Sequence, residues 1–360
     1  MRRGLLHAGS PDGITRPMRA VVMRNKGLVV DTVPDPEPGP GEALVKTLAC
    51  GICGSDLHAL KFADRMVDIA RESDAPFNMD PSRDVVMGHE FCVEVLDYGP
   101  GTDATVKPGR RAVSMPLLFR PSGIFGVGYS NEVPGGYGEL MVLNASLLLE
   151  VPNGLATSHA AMTEPMAVGL HAVEKARLEP GEAAMVFGCG PVGLAVIAAL
   201  KLKGVEPIIA GDFSPMRRAL AQTLGAHVVV DPKARRMIDA YRETADLRPA
   251  VVFECVGVPG VLQDVMRQAP RTAKIVVAGV CMEDDTIRPM HGINKELSVQ
   301  FVLGYTPMEF TDTLTALADG RIDVAPLVTG TVGAEGVPQA FKDLASPDKH
   351  AKILVEPWRA

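Results

Sequence analysis

The 360-residue chain reads as an α/β protein: a β-rich region followed by a doubly wound parallel sheet. Three observations predict this. Residues 18 to about 160 carry short β-type runs between Gly/Pro turns. From about residue 165, short apolar runs alternate with helical patterns. A glycine-rich turn stands at the first of these strand-to-helix junctions.

In the first region the β-type runs include Met18–Val22, Ala43–Leu48, Phe91–Leu96 and Glu139–Leu143. Turn signals separate them at Pro34–Gly41, Gly99–Gly101 and Pro134–Gly136, which predicts an irregular barrel or sandwich. The stretch Ala59–Ala75 interrupts the series. Leu60, Ala63, Met66, Val67 and Ala70 recur there at helical spacing, so it reads as an amphipathic insertion.

In the second region, strands are expected at Ala183–Phe187, Pro207–Gly211, Val228–Val230, Val251–Phe253, Ile275–Val277 and Ser298–Leu303. Val192–Leu202 and Met216–Leu224 read as intervening helices. A further helix, Pro307–Ala318, precedes β segments ending at Ile353–Val355. Residues ahead of Met18 lack a sustained apolar stretch and read as a loose extension rather than a signal peptide.

Bulk composition narrows the function classes. A net charge of -7 and a pI near 5.7 argue against a general nucleic-acid or anionic-membrane surface. No stretch reaches the roughly 18 consecutive apolar residues of a membrane span. The six cysteines lack an export signal and dense spacing, so reduced thiols in the cytoplasm are expected.

Gly188-Cys189-Gly190-Pro191-Val192-Gly193 fits G-x-G-x-x-G between an expected strand and an expected helix. Such a turn lets the backbone approach a pyrophosphate, and the helix N-terminus offers it unpaired N–H groups. The next strand ends at Asp212, nineteen residues beyond Gly193. A carboxylate there accepts ribose hydroxyls and repels a 2′-phosphate, which favours NAD. Arg217, one turn into the following helix, would flank the adenine or ribose and equally suits a 2′-phosphate.

Cys50 and Cys53 resemble half a zinc knuckle, but no second C-x-x-C exists. A catalytic zinc needs only three protein ligands and an open position. Cys53 and His89 offer a soft and a borderline ligand, and Glu90 a neighbouring carboxylate. Taken alone, Cys53 and His89 read as an ordinary thiol and an ordinary histidine.

Four stretches in order carry a family resemblance: Gly51–His58, Gly88-His89-Glu90, Thr163–Ala172 and the Gly188 turn. Together they resemble the zinc-containing medium-chain dehydrogenases of the alcohol dehydrogenase superfamily. Thr163–Ala172 is similar to the Glu-Pro-Leu-Ser-Val-Gly-x-His-Ala stretch of the sorbitol and butanediol dehydrogenase branch. The ordered match extends from about Met18 to Pro357.

The resemblance implies a GroES-like catalytic domain over residues 1–164, completed by 305–360, and a Rossmann coenzyme domain over 165–304. It implies zinc held by Cys53, His89 and Glu164, with Glu90 as an alternative ligand. Asp56 would fix the His89 tautomer, Ser55 would contact the substrate hydroxyl, and His58 would pass the proton towards solvent. Gly188, Gly190, Pro191, Val192, Gly193, Asp212 and Arg217 would bind NAD. The implied reaction is reversible hydride transfer between NAD and a secondary or primary alcohol, including a vicinal diol. A homodimer or homotetramer, joined through Ser298–Leu303, is the expected assembly.

Departures from the family sharpen the expectation. Arg110–Tyr137 has no cysteine where many relatives hold a structural zinc, so one zinc per subunit is expected. The interval from His58 to Gly88 is longer than usual, and the insertion there would roof the cleft or meet a partner subunit. Val302–Pro307 lacks the arginine of the polyol-oxidising relatives. Met115–Phe119 is apolar and reads as a pocket wall, which favours an apolar alcohol or a diol over a sugar polyol. Two alternatives compete: a zinc-free NADPH quinone or enone reductase, and an NAD-binding protein without turnover. Cys53, His89, Glu164 and Asp212 argue against the first, and the Ser55–His58 pair against the second. The other cysteines, and His171, read as packing residues.

Overall fold

A computed structural model of the chain describes residues 17–359 apart from Asn78, Asn153 and Leu247. The N-terminal extension lies outside the described residues. The described chain starts with an antiparallel hairpin of β1 (Pro17–Arg24) and β2 (Gly27–Pro34), followed by β3 (Glu42–Gly51). β3 leads directly into α1 (Gly54–Glu72). β4 (Val85–Val86) pairs with β1, and β5 (Glu90–Tyr98) lies antiparallel to β3. The first β-rich part is completed by β6 (Arg111–Ser114), the hairpin of β7 (Leu117–Arg120) and β8 (Gly123–Gly126), β9 (Leu140–Asn144) and β10 (Leu148–Glu150).

Two helices, α2 (Thr157–Ala160) and α3 (Thr163–Ala176), lead to an alternating series. It runs β11 (Ala183–Phe187), α4 (Pro191–Leu202), β12 (Ile208–Gly211), α5 (Pro215–Leu224), β13 (Val228–Val230) and α6 (Met237–Thr244). It continues with β14 (Ala250–Glu254), α7 (Val261–Gln268), β15 (Lys274–Val277), α8 (Pro289–Lys295) and β16 (Ser298–Phe301). These six strands form one parallel sheet in the order β13-β12-β11-β14-β15-β16. The order reverses beside β11, which opens a crevice at the carboxyl ends of β11 and β14. Every residue of β11 and β14 is buried, as expected for a sheet covered on both faces. α3 approaches α4 closely because residue 169 is glycine: a Cβ there would lie 2.3 Å from the Ala195 carbonyl carbon.

α9 (Pro307–Ala318) carries the chain back to β17 (Val328–Val332), α10 (Val337–Leu344) and β18 (Lys352–Val355). β18 pairs antiparallel with β3 and parallel with β17. The last strands thus complete the first large sheet, ordered β10-β6-β5-β3-β18-β17, with β9 also on β3.

Three local differences from the sequence reading stand out. The expected helix at Ala59–Ala75 starts five residues earlier, at Gly54, and ends at Glu72. Its earlier start follows from a cap: Cys53 N–H donates to Asp56 Oδ2 at 2.9 Å, while the Cys53 side chain faces the Asp56 N–H. Within Arg110–Tyr137, the chain forms the β7–β8 hairpin, anchored by Arg120 donating to both Glu42 oxygens at 2.7 and 3.2 Å. Met115–Phe119 does not line the cavity beside α1. Leu118 is buried, Phe119 is exposed, and Met115 packs against the core around α3 and α4.

Candidate metal and coenzyme site

Antiparallel pairing of β3 with β5 sets Gly51 opposite Glu90. A Cβ at Gly51 would lie 2.0 Å from Glu90 Oε2, so only glycine leaves this space to the carboxylate. Two residues on, Cys53 caps α1, and His89 immediately precedes β5. These connections converge three donors: the ligand atoms of Cys53, His89 and Glu90 all lie within 4.8 Å of one another. It is the one such group of three among the described residues. A thiol, an imidazole and a carboxylate in a buried pocket form a donor set that fits zinc.

Asp56 organises this set. Its buried carboxylate accepts from the Cys53 N–H at 2.9 Å and from the Tyr137 hydroxyl at 2.6 Å. His89 Nδ1 lies 3.4 Å from Asp56 Oδ1, a charge contact rather than an aligned hydrogen bond. Burial works against ionising Asp56, yet His89 and the donors around it hold its pKa below the ordinary value. Burial likewise disfavours the His89 cation, but Asp56 and Cys53 raise its pKa well above normal. A metal ion would take the place of that proton, which is the usual coupling between ligand protonation and metal binding.

Glu90 is fully buried and has its own counter-ion. Lys352, from β18, donates to Glu90 Oε2 at 2.6 Å, to Glu90 Oε1 at 2.8 Å and to the Ile52 carbonyl at 3.0 Å. Glu164, on α3, stands beside the set but outside the group of three. Tyr305 hydrogen-bonds its side chain, and burial pushes its pKa up to about 7. Sequence reasoning named Glu164 before Glu90 as third ligand, whereas Glu90 joins Cys53 and His89 in the closest set.

Ser55 and His58 occupy the first turns of α1. The Ser55 hydroxyl lies 2.9 Å from that of Tyr129, and the Tyr129 ring sits 5.1 Å from that of His89. His58 is half-buried, and burial beside Lys61 lowers its pKa. It borders a cavity of about 760 Å³ lined also by Leu57, Phe62, Val258, Met282 and Phe341. This cavity lies next to the donor set and is not lined by it. α1 forms one wall of this cavity, and Arg65 on it pairs with Asp284 at 2.5 Å.

At the crevice of the parallel sheet, Gly188 adopts φ +91°, in the left-handed region that favours glycine. A Cβ on Gly193 would stand 1.9 Å from the Gly188 carbonyl oxygen. Gly190 caps α4, with Pro191 at its first turn and Val192 following. Asp212 follows β12 and accepts from Cys189 N–H and Ser214 N–H, both at 2.8 Å. Arg217 Nη1 lies 4.0 Å from Asp212, close to Gly190. The proposed coenzyme residues are therefore gathered at one end of the sheet.

The sequence reading missed Tyr129, Tyr137, Tyr305, Lys352 and Glu254. Glu254 accepts from the N–H groups of Val256 and Gly257 and shapes the loop after β14. One signal was available: a lysine inside the apolar run Ala351–Val355 is out of place unless it has a buried partner. The tyrosines carry no local signature.

Known proteins resemble the chain over nearly its whole length. Residues 39–153 match the alcohol dehydrogenase GroES-like domain, and residues 191–319 match the zinc-binding dehydrogenase domain. The (R,R)-butanediol dehydrogenase of Bacillus subtilis is 32% identical over 354 residues, covering 94% of this chain and 100% of that protein. The sorbitol dehydrogenase of Bacillus subtilis is 27% identical, covering 95% of this chain and 98% of that protein. The crystal structure of Bacillus subtilis 2R,3R-butanediol dehydrogenase superposes with a TM-score of 0.80 at 30% identity, covering 94% and 99% of the two chains. A Sinorhizobium meliloti structure bound to NADP gives a TM-score of 0.80 at 27% identity, covering 95% of this chain and 100% of that chain. The chain belongs to the zinc-containing alcohol dehydrogenase family and is an oxidoreductase of that type.

Proposed function

We propose that the protein oxidises a vicinal diol or another small secondary alcohol reversibly, with NAD as hydride acceptor. The convergence of Cys53, His89 and Glu90 at the foot of α1, beside Ser55, carries this reading. These residues would hold zinc, with Glu164 next to them. Zinc, when bound, supplies the Lewis acidity that makes an alcohol hydroxyl easier to deprotonate. Asp56 orients His89 by facing Nδ1, which leaves Nε2 for the metal. Ser55 accepts the hydrogen bond of the substrate hydroxyl and orients it, and His58, whose pKa is held below the ordinary value, takes the released proton towards solvent.

NAD is preferred to NADP because the Asp212 carboxylate stands at the tip of β12 and repels a 2′-phosphate. Val256, Val258 and Val280 are exposed at the carboxyl ends of β14 and β15, an apolar floor suited to a nicotinamide ring. The substrate class follows from three supports: the Bacillus subtilis relative named for butanediol, an apolar cleft wall of Leu57, Phe62, Val258 and Met282, and no arginine in Val302–Pro307. The division into a catalytic domain (1–164 with 305–360) and a coenzyme domain (165–304) belongs to the same reading.

The chain would work as a cytoplasmic homo-oligomer. β16 is exposed at the sheet edge, with Phe301 65% and Leu303 88% exposed, an edge that pairing with a second copy would cover. No helix among the described residues is long and apolar enough to cross a membrane.

A panel of butanediol stereoisomers, sorbitol and simple secondary alcohols, each with NAD and with NADP, tests the proposal. Butanediol with NAD should give the highest kcat/KM. A preference for sorbitol, or for NADP, would reject the corresponding part.

A further inference from the structure

Ser55 is held by a residue that neither the zinc ligands nor the proton path includes. The Tyr129 hydroxyl lies 2.9 Å from Ser55 Oγ and 3.1 Å from Asp56 Oδ1. A phenol has one proton to give. Asp56 is ringed by donors: the Cys53 N–H and the Tyr137 hydroxyl on Oδ2, and His89 Nδ1 facing Oδ1. A carboxylate in that surrounding accepts at every contact, so the Tyr129 proton goes to Asp56. The Ser55 contact is then a hydrogen bond only if Ser55 donates to Tyr129.

The consequence falls on Ser55. With its proton directed at Tyr129, its lone pairs are left for a donor in the cleft. That is the state in which a serine accepts the hydrogen bond of an incoming hydroxyl and orients it. We propose that Tyr129 is a positioning residue for alcohol oxidation, presenting Ser55 Oγ as an acceptor to the substrate hydroxyl and tying it to the Asp56–His89 pair.

The ring of Tyr129 is fixed by two neighbours. It lies 5.1 Å from the His89 ring and 6.0 Å from the Phe77 ring. Phe77 follows α1, within the long interval between His58 and Gly88. That extra length therefore does more than wall the cleft: it supplies the side chain that holds Tyr129 against the metal site.

The inference rests on the alcohol-oxidation reading with Ser55 in contact with substrate, and the variants separate the two. Tyr129→Phe keeps the ring contacts and removes the hydroxyl. It should lower kcat for the diol about tenfold, the effect of one hydrogen bond withdrawn next to the reacting group, with zinc content and KM for NAD unchanged. Ser55→Ala should lower kcat at least as far, and the double variant should be no slower than Ser55→Ala alone. Phe77→Leu keeps every hydrogen bond, loosens the ring, and should lower kcat in the same direction. It carries the test alone if Tyr129→Phe is unstable. The inference is overturned if Tyr129→Phe and Phe77→Leu retain wild-type kcat while Ser55→Ala loses it. It also fails if Tyr129→Phe costs the same factor in the Ser55→Ala background. Full activity in Ser55→Ala would remove the underlying reading, and the inference with it.

Discussion

Replacing Lys352 by methionine isolates the charge that balances the metal pocket. Methionine keeps an unbranched apolar stem and removes the ammonium. The three Nζ protons are all engaged, two by Glu90 and one by the Ile52 carbonyl. Lys352 is 1% exposed and Glu90 0%, so water cannot replace the lost donor. Leaving one member of a buried ion pair uncompensated costs about 3–5 kcal/mol, and the stranded Ile52 carbonyl pushes the loss to the upper end. Urea denaturation of the zinc-free protein measures it. The single tryptophan, Trp358, is a suitable probe because Lys46 of β3 lies over its ring at 4.6 Å. Adding Glu90→Gln to Lys352→Met should recover most of the loss, since no charge is then unpaired. An unchanged urea midpoint in the single variant would refute the reasoning, as would a double variant as unstable as the single.

Two further predictions concern protonation. Glu164 has a folded-state pKa of about 7 against an ordinary 4.5, so in zinc-free protein it keeps a proton that the unfolded chain has released. Stability should therefore fall as pH rises from 4.5 to 7, by about 3 kcal/mol at roughly 1.4 kcal/mol per pH unit. Glu164→Gln should flatten that slope in urea titrations, and an identical slope in the variant would contradict the assignment. His58 is held below its ordinary 6.5 by burial and Lys61, so the acid limb of kcat/KM should lie below pH 6.5. His58→Gln should remove that limb and slow turnover roughly a hundredfold, the lower range for loss of a proton-transfer group. An unaltered limb in the variant would show that another group carries the proton.

Much of the frame was legible locally. Ala183–Phe187 is an unbroken apolar run followed by Gly188, and the structure has β11 at those residues. Strands buried on both faces announce themselves in this way, and glycine at positive φ marks their ends. α6, α7 and α10 were not legible because each spans only eight residues, too short for a helical period to stand out. Cys53 and His89 were found through the order of motifs. Their surroundings were not, because Lys352 reaches Glu90 across 262 residues and Tyr137 reaches Asp56 across 81. Such partners are chosen by strand pairing, which no local pattern encodes. The surroundings of Met115–Phe119 are likewise set by tertiary neighbours, because an apolar run names a buried surface but not which core it joins.

Zinc content and diol oxidation, measured side by side for the wild type and Cys53→Ser, test the central claim most directly. The wild type should hold one zinc per chain and lose turnover when a chelator removes it. Cys53→Ser should hold none and be inactive while binding NAD nearly as tightly as the wild type. Undiminished turnover by chelator-stripped wild type, or by Cys53→Ser without zinc, would contradict the account.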